Sequence, residues 1–292
     1  TPRNLIIGIA MTLLGGVLWG MNATVSKLLM VDYHTSPLWL ACVRELCAGT
    51  IFVACSAVTT SGQLIGAIRD RKSYPRLLAV TFICVLLVQI SYLFTIDWTN
   101  SGTATVLQSL NLLFVLGFVC IRGRRLPGRR ESVGVALAFV GTTLIATGGN
   151  LATLKLPLIG LIWGLIDAAS TAAMSIIPTK LIAQWGNFTV NGISFLISGI
   201  VLLPFVRPWA TAPQLDWAGI GLMAFTVVGG TFGAFWLFMA GVMRVGSMRA
   251  TMLGTSEPVM ATVSAVAWTD EVFSSTDLAG FAMILIMVFL VR

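Results

Sequence analysis

Asp167, Glu257 and the adjacent pair Arg44–Glu45 each interrupt a long apolar stretch of this 292-residue chain. At the centre of a bilayer an ionisable side chain costs roughly 2.5–3.5 kcal/mol on insertion scales, so it persists where it pairs or does chemistry. Asp167 follows Gly164 near the middle of its stretch. A carboxylate there can bind an ammonium group or carry a proton; its bland role is an interhelical hydrogen bond. Glu257 precedes Pro258, whose missing N–H frees a backbone carbonyl. It is either a charge partner or a polar helper for that loosened backbone. Arg44 and Glu45 cannot face each other at i, i+1 on a helix, so each must pair with another segment or reach for the membrane surface.

Uncharged polar side chains form a second set: Asn22, Gln89, Gln108, Asn111, Ser170, Thr171 and Thr255. Asn22 shares a helix face with Trp19, and Asn111 with Gln108, by their i, i+3 spacing. Amides on a shared cavity wall can hold a carboxylate and an amine, or simply bond helix to helix. Aromatics form a third set. Trp19, Tyr92, Trp163 and Trp236 fall well inside apolar stretches, whereas Trp39, Trp98, Trp185, Trp209, Trp217 and Trp268 sit near their ends, as interfacial anchors do. A buried ring can stack on an aromatic ligand or embrace an ammonium. Trp19 and Trp163 each precede a glycine, so close helix packing competes with that role.

Other chemistries lack their residues. Cys42, Cys47, Cys55, Cys84 and Cys120 form no CxxC pair and have no nearby His, which reads as inert thiols. His34 is the single histidine and falls in a loop, so neither HExxH nor a Ser/His/Asp set is available. No Gly-rich phosphate loop precedes a Lys-Ser/Thr. The sequence therefore predicts no enzyme, no cofactor and no metal site. The net charge of +7 does not imply nucleic acid as a partner, because no basic, aromatic-studded soluble surface is available.

The elements that position these residues emerge from hydropathy. Hydrophobic residues make up 57% and charged residues 10% of the chain, far below the roughly 25% charge of a soluble domain. Ten apolar segments stand out: 5–30, 37–60, 75–96, 101–121, 132–149, 156–180, 188–206, 217–243, 248–268 and 277–291. Each approaches the ~20 residues that cross a bilayer as a helix, and barrel strands would alternate strictly, which these do not. The first segment is too long for a cleaved leader and reads as a span. With ten crossings, Arg3, Arg69, Arg71, Lys72, Arg76, Arg122, Arg124, Arg125, Arg129, Arg130, Lys180, Arg244, Arg249 and Arg292 fall on one side. Only Lys27, Lys155 and Arg207 fall on the other. The positive-inside rule then places both termini in the cytoplasm.

The chain also echoes itself. Gly16-Val17-Leu18-Trp19-Gly20 returns as Gly160-Leu161-Ile162-Trp163-Gly164, and Tyr92-Leu93-Phe94 as Trp236-Leu237-Phe238. Ser132-Val133-Gly134 returns two residues further on as Leu278-Ala279-Gly280. The repeats are expected at 1–150 and 151–292. With five spans each, the second enters the membrane from the opposite side, and such inverted repeats place the substrate near the midplane between the halves.

These features resemble a known group. The Trp-Gly of the first segment in each half, the run AT-x-L-x-x-x-EPV-x-A from Ala250 to Ala261, and Glu271 resemble the EamA group of the drug/metabolite transporter superfamily, over essentially the whole chain. The first half departs from that pattern, with Asn111-Leu112-Leu113 in place of EPV and Arg125 in place of a Glu. Length, opening segment and Trp-rich composition are most similar to the YddG-type exporters of aromatic amino acids. The resemblance implies an all-α integral membrane fold of ten helices in two inverted five-helix repeats, a cell inner membrane location, and amino-acid export. The residues expected to bind substrate are Trp19, Asn22, Gln89, Tyr92, Gln108, Asn111, Trp163, Asp167, Thr171, Trp236 and Glu257. The partners are then a small-molecule substrate, amino acids, and the lipid bilayer. Proton coupling through Asp167 or Glu257 and facilitated diffusion both stay open, as does the oligomeric state. The alternative is a carrier for other small metabolites or cationic drugs.

Overall fold

Segments this apolar meet a lipid interior only as closed hydrogen-bonded elements, because each backbone N–H and C=O must find its partner within protein. The computed structural model describes residues 2–150, 154–246, 249–250 and 253–291, and their regular structure is helical throughout. The expected boundary between the halves falls beside residues 151–153, outside the described residues, as do Arg292 and the Thr251-Met252 of the EPV-containing run.

The first half holds α1 (Pro2–Asp32), α2 (Pro37–Thr59), the short α3 (Ser61–Arg69) and α4 (Tyr74–Ala79). A π-helical stretch, Val80–Leu86, joins α4 to α5 (Leu87–Trp98). Next come α6 (Ser101–Gln108), α7 (Asn111–Gly123) and α8 (Arg129–Thr147). The second half holds α9 (Leu158–Met174), α10 (Thr179–Trp185), α11 (Asn187–Val206) and α12 (Trp217–Ala224). A second π-helical stretch, Phe225–Gly233, leads into α13 (Ala234–Val245), and α14 (Ser256–Thr269) and α15 (Ser275–Leu290) complete the chain.

Among the described residues, six continuous helices are long and apolar enough to cross a membrane: Asn4–Asp32, Pro37–Thr59, Arg71–Trp98, Ser101–Gly123, Asn187–Val206 and Trp217–Val245. A seventh crossing results if α9 and α10, bent by 46°, count as one broken span. The remaining three apolar segments of the sequence hold α8, α14 and the shorter apolar α15.

Local signals set the helix starts. Ser36 Oγ accepts from the Trp39 N–H at 3.1 Å, with Pro37 in the first turn, a position where its missing N–H costs nothing. Asn100 caps α6 through the Thr103 N–H at 2.8 Å, and Asp216 caps α12 through the Gly219 N–H at 2.8 Å. At α15, Ser274 and Asp277 form a reciprocal capping box.

The α2–α11 and α8–α15 pairs run antiparallel and close. Along α2 and α11, Gly49 meets Leu196 and Gly192 meets Val53; a Cβ on either glycine would lie 2.6 Å and 2.9 Å from the partner's backbone nitrogen. Gly141 of α8 and Gly280 of α15 cross so tightly that a Cβ on one would lie 2.8 Å or less from the carbonyl oxygen of the other. Small residues let helices meet where lipid offers no hydrophobic drive.

The two ends of the bundle differ. At the end carrying α1's start and the 59–74, 123–129 and 185–187 connections lie most of the basic residues. The half next to the opposite end is filled by a continuous core that includes Leu29, Met30, Trp39, Leu40, Ile96, Leu202 and Val206. There the Thr24 hydroxyl bonds Ser101 at 2.8 Å and Ser264 at 2.6 Å. Lys27 donates to the carbonyls of Ile96, Asp97 and Thr99 at 2.9–3.1 Å, closing the C-terminus of α5 as a cation does well.

Candidate substrate cavity

Where that core stops, a half-open cavity of about 630 Å³ begins between the two halves. That is the size of a small-molecule site. Its walls come from nearly every long helix. α1 contributes Trp19 and Asn22, and α2 contributes Arg44 and Phe52. The first π-helical stretch and α5 contribute Cys84, Val85, Gln89 and Tyr92. Gln108, Ser109, Asn111 and Val115 lie at the break between α6 and α7. Thr171 and Ser175 come from α9, and Asn191 and Phe195 from α11. The second π-helical stretch and α13 supply Gly230, Thr231, Phe235 and Phe238, and α14 supplies Glu257 and Pro258.

The cavity sits where regular helix fails. Both π-helical stretches border it, and so do the breaks at 109–110 and 254–255. In a π turn one extra residue is accommodated, which releases local backbone groups and re-aims the side chains beyond it. At the second break the Glu257 N–H bonds the Gly254 carbonyl at 3.0 Å, and Pro258 comes directly after.

Eight of the eleven residues selected from the sequence line the cavity: Trp19, Asn22, Gln89, Tyr92, Gln108, Asn111, Thr171 and Glu257. Three do not. Asp167 is fully buried one layer behind the wall, held by Gln108 Nε2 at 3.4 Å and Thr171 Oγ1 at 3.5 Å, both long for such bonds. Its Oδ2 has no hydrogen-bond partner among the described residues. Trp163 stacks on Phe94, with ring centroids 4.9 Å apart and planes at 15°. Trp236 is 47% exposed on the outer face of the bundle.

Arg44 lay outside the sequence selection, yet it forms part of the wall. It is 3% exposed and bonds the Gln89 carbonyl oxygen through Nη2, and its Nε has no partner among the described residues. Glu45 turns the other way and accepts from Ser198 Oγ at 2.6 Å. The signal in sequence was the adjacency itself: neighbours on a helix diverge, so an in-span Arg beside a Glu is not neutralised by it. Tyr92 Oη and Asn22 Oδ1 are likewise buried without partners among the described residues. Unpaired buried polar groups cost free energy; several of them at one cavity wall form a set that a polar ligand would satisfy.

The wall also carries an aromatic patch. Phe52 lies at the centre of a cluster with Phe188, Phe195, Phe232 and Phe235, at centroid distances of 5.1–6.0 Å. Trp19 packs on Phe238 at 4.9 Å. The site thus combines a guanidinium, a carboxyl group, several amides and tilted, edge-packed rings, and no group of His, Cys, Asp and Glu among the described residues could hold a metal.

A helical bundle with membrane-length spans around a central cavity, mainly apolar and set with a few polar side chains, is the architecture of a polytopic membrane carrier. Comparison with known proteins narrows the class. The EamA-like transporter family matches residues 6–147 and 158–292, and the chain belongs to it. An uncharacterized inner membrane transporter of Salmonella typhimurium, YicL, is 30% identical over 97% of this chain and 94% of its own. The uncharacterized transporter YwfM of Bacillus subtilis is 22% identical over 94% and 90% of the two chains. An uncharacterized transporter of Archaeoglobus fulgidus is 23% identical over 94% of both. A solved crystal structure at 14% identity superposes with a TM-score of 0.64, covering 99% of this chain and 96% of the other, and so shares its fold.

Proposed function

We propose that this chain is a secondary carrier of the cell inner membrane that exports amino acids, aromatic and other neutral ones, by alternating access. In this reading ten helices form two inverted five-helix repeats, 1–150 and 151–292, with both termini cytoplasmic. The observation that carries the substrate class is the cavity wall. Arg44, with its free Nε, offers a site for a carboxylate. Glu257, and Asp167 acting through Gln108, offer the opposite charge for an ammonium group. The Phe52 cluster and Trp19 offer an apolar surface for the side chain of a zwitterion.

Several pairs of features support the repeats. Trp19–Phe238 and Phe94–Trp163 are the same pair at an offset of 144 with the halves exchanged. The π-helical stretches at 80–86 and 225–233 and the breaks at 109–110 and 254–255 also recur at close to that spacing. Helix pairing has the same symmetry: α2 lies on α11 and α8 on α15, while α1 on α13 answers α5 on α9. In this reading the basic end of the bundle is cytoplasmic and the cavity, which lies on that side of the filled core, faces it, as expected of an exporter awaiting its load. Transport requires the opposite half, held by Thr24, Lys27 and their partners, to open in turn.

The second reading, a carrier for other small metabolites or cationic drugs, draws on the two carboxyl groups near the cavity. Arg44 weighs against cations as the cargo, because it would repel them at close range. Flux of labelled amino acids in proteoliposomes, with and without a pH gradient, tests both. Saturable flux of Trp or Phe, competed by other neutral amino acids, is expected. Its absence from folded protein that moves an organic cation would overturn the amino-acid reading. A response to the gradient would assign proton coupling, and none would assign facilitated diffusion.

A further inference from the structure

Away from the cavity, the cytoplasm-side corner formed by α3, α4 and α11 carries a groove of about 350 Å³. Its lining is apolar: Ala67 and Ile68 of α3, Tyr74 and Leu78 of α4, and Ile193 and Ile197 of α11. Ile68, Tyr74 and Leu78 are each more than a third exposed, so the groove is open on its flank. The chain that links its two rims carries Arg69, Arg71, Lys72 and Arg76, all exposed.

These four cations have no carboxylate within ion-pair distance among the described residues. Among the described residues the ion pairs are Arg125–Glu131 and Lys155–Asp277, both elsewhere. The nearby acid, Asp70, is used to fix the loop: it accepts from the Lys72 N–H at 3.2 Å and from Ser73 Oγ at 2.6 Å. The loop is further braced by Tyr74 Oη on the Ile68 carbonyl at 2.5 Å and by Trp185 Nε1 on Ser73 Oγ at 3.3 Å. A braced turn and the helix ends that flank it thus set four exposed positive charges beside the residues that line an apolar groove.

We propose that this corner is a binding site for an anionic phospholipid, its acyl chain in the groove and its phosphate on the Arg69–Arg76 turn. Charge and shape together identify the occupant. A topology signal alone needs only the basic residues, whereas the groove between their flanking helices adds an apolar slot of the kind an acyl chain fills. Each basic residue near an anionic surface contributes about a five-fold gain in affinity, so removing three is expected to weaken binding by one to two orders of magnitude. The inference does not depend on the transported substrate.

Native mass spectrometry of the purified full-length protein, titrated with phosphatidylglycerol, phosphatidylethanolamine or phosphatidylcholine, tests it. Phosphatidylglycerol adducts are expected to dominate. The triple variant Arg71→Gln/Lys72→Gln/Arg76→Gln should lose that preference, and the groove-filling Leu78→Trp should lower adducts without changing charge. The control Arg124→Gln/Arg129→Gln/Arg130→Gln, at the other basic loop, should retain them. Equal retention of all three lipids, or equal loss in the control variant, would overturn the site. So would displacement by inorganic phosphate as effective as by lipid, since the acyl groove would then contribute nothing. Gel-filtration profiles matching the unsubstituted protein establish that the variants are folded.

Discussion

Thr24 and Ser264, 240 residues apart in the chain, bring their hydroxyl oxygens within 2.6 Å of each other, and Ser101 joins them at 2.8 Å from Thr24. The three residues come from α1, α14 and α6 and are buried. They tie helices together on the side of the bundle away from the cavity mouth. At the 144-residue offset of the proposed repeats the sequence holds no such set, with Ala168 where a second Thr24 would fall. On the alternating-access reading proposed above, a polar latch on this side alone would bias the resting protein toward the form open at the basic end.

Loosening that latch should therefore shift the carrier toward the opposite opening. Interhelical hydrogen bonds average about 0.6 kcal/mol, so losing two should change the ratio of the two forms roughly five- to ten-fold. The measurement is the labelling rate of Ser109→Cys, a cavity position, in a cysteine-free background with a charged thiol reagent. Thr24→Val should slow labelling from the cytoplasmic side and speed it from the other. Unchanged rates on both sides would show that the latch does not set the resting state.

Arg44 should be indispensable to a carboxylate-bearing substrate. Hydrogen bonds to a charged group contribute roughly 1.5–3 kcal/mol, so Arg44→Gln should raise the apparent KM about 10- to 150-fold. Arg44→Lys should not restore it, because an ammonium cannot hold Gln89 and a carboxylate in one planar fork. The comparison to make is the same substrate with its carboxylate amidated. If wild type and Arg44→Gln discriminate equally between acid and amide, the guanidinium does not read the carboxylate.

How far the sequence reaches can be seen at α13. The matching strings Tyr92-Leu93-Phe94 and Trp236-Leu237-Phe238 suggest that Tyr92 and Trp236 face the cavity together. Tyr92 does, but Trp236 is 47% exposed. The wall positions Cys84, Val85, Gln89 and Tyr92 recur in the second half as Gly230, Thr231, Phe235 and Phe238, two residues beyond the sequence match. The second π-helical stretch has nine residues against seven in the first, and each extra residue in a turn rotates the rest of the helix beyond it. Hydropathy carries no trace of such a bulge, although it marked the apolar helices and the basic loops well. Asp167 shows the same limit in another form. Its apolar surroundings announced a buried acid, but not that Gln108 and Thr171 would stand between it and the cavity.

That placement gives Asp167 a definite signature. Reaching a ligand only through Gln108, it should act with that residue as one unit. Asp167→Asn and Gln108→Ala should each raise the apparent KM, and the double variant should be no worse than the more affected single one. Coupled neighbours depart from additivity by about 0.5–3 kcal/mol, against about 0.3–0.5 kcal/mol for independent sites. A full double-mutant cycle on transport decides the matter. Additive effects would mean that the carboxyl group meets the substrate directly, which calls for a different arrangement of α9 during transport.

Asp216 offers a pH-dependent test at the end opposite the cavity mouth. Its Oδ1 accepts from the Gly219 N–H at 2.8 Å and from Tyr33 Oη at 2.7 Å, capping α12 and tethering it to the end of α1. The Gly219 bond, then the Tyr33 hydroxyl, hold the carboxyl below the usual carboxylate range. A folded-state value below the unfolded one, which is near about 3.9, means that the charged cap stabilises fully above that pH. The contribution is lost as pH falls through the lower, folded value. Asp216→Ala should therefore lower Tm in detergent at about pH 7, and the gap from wild type should narrow as the pH is taken to about 3 and below. A gap of the same size at both pH values would mean that the side chain contributes by packing and that its charge is idle.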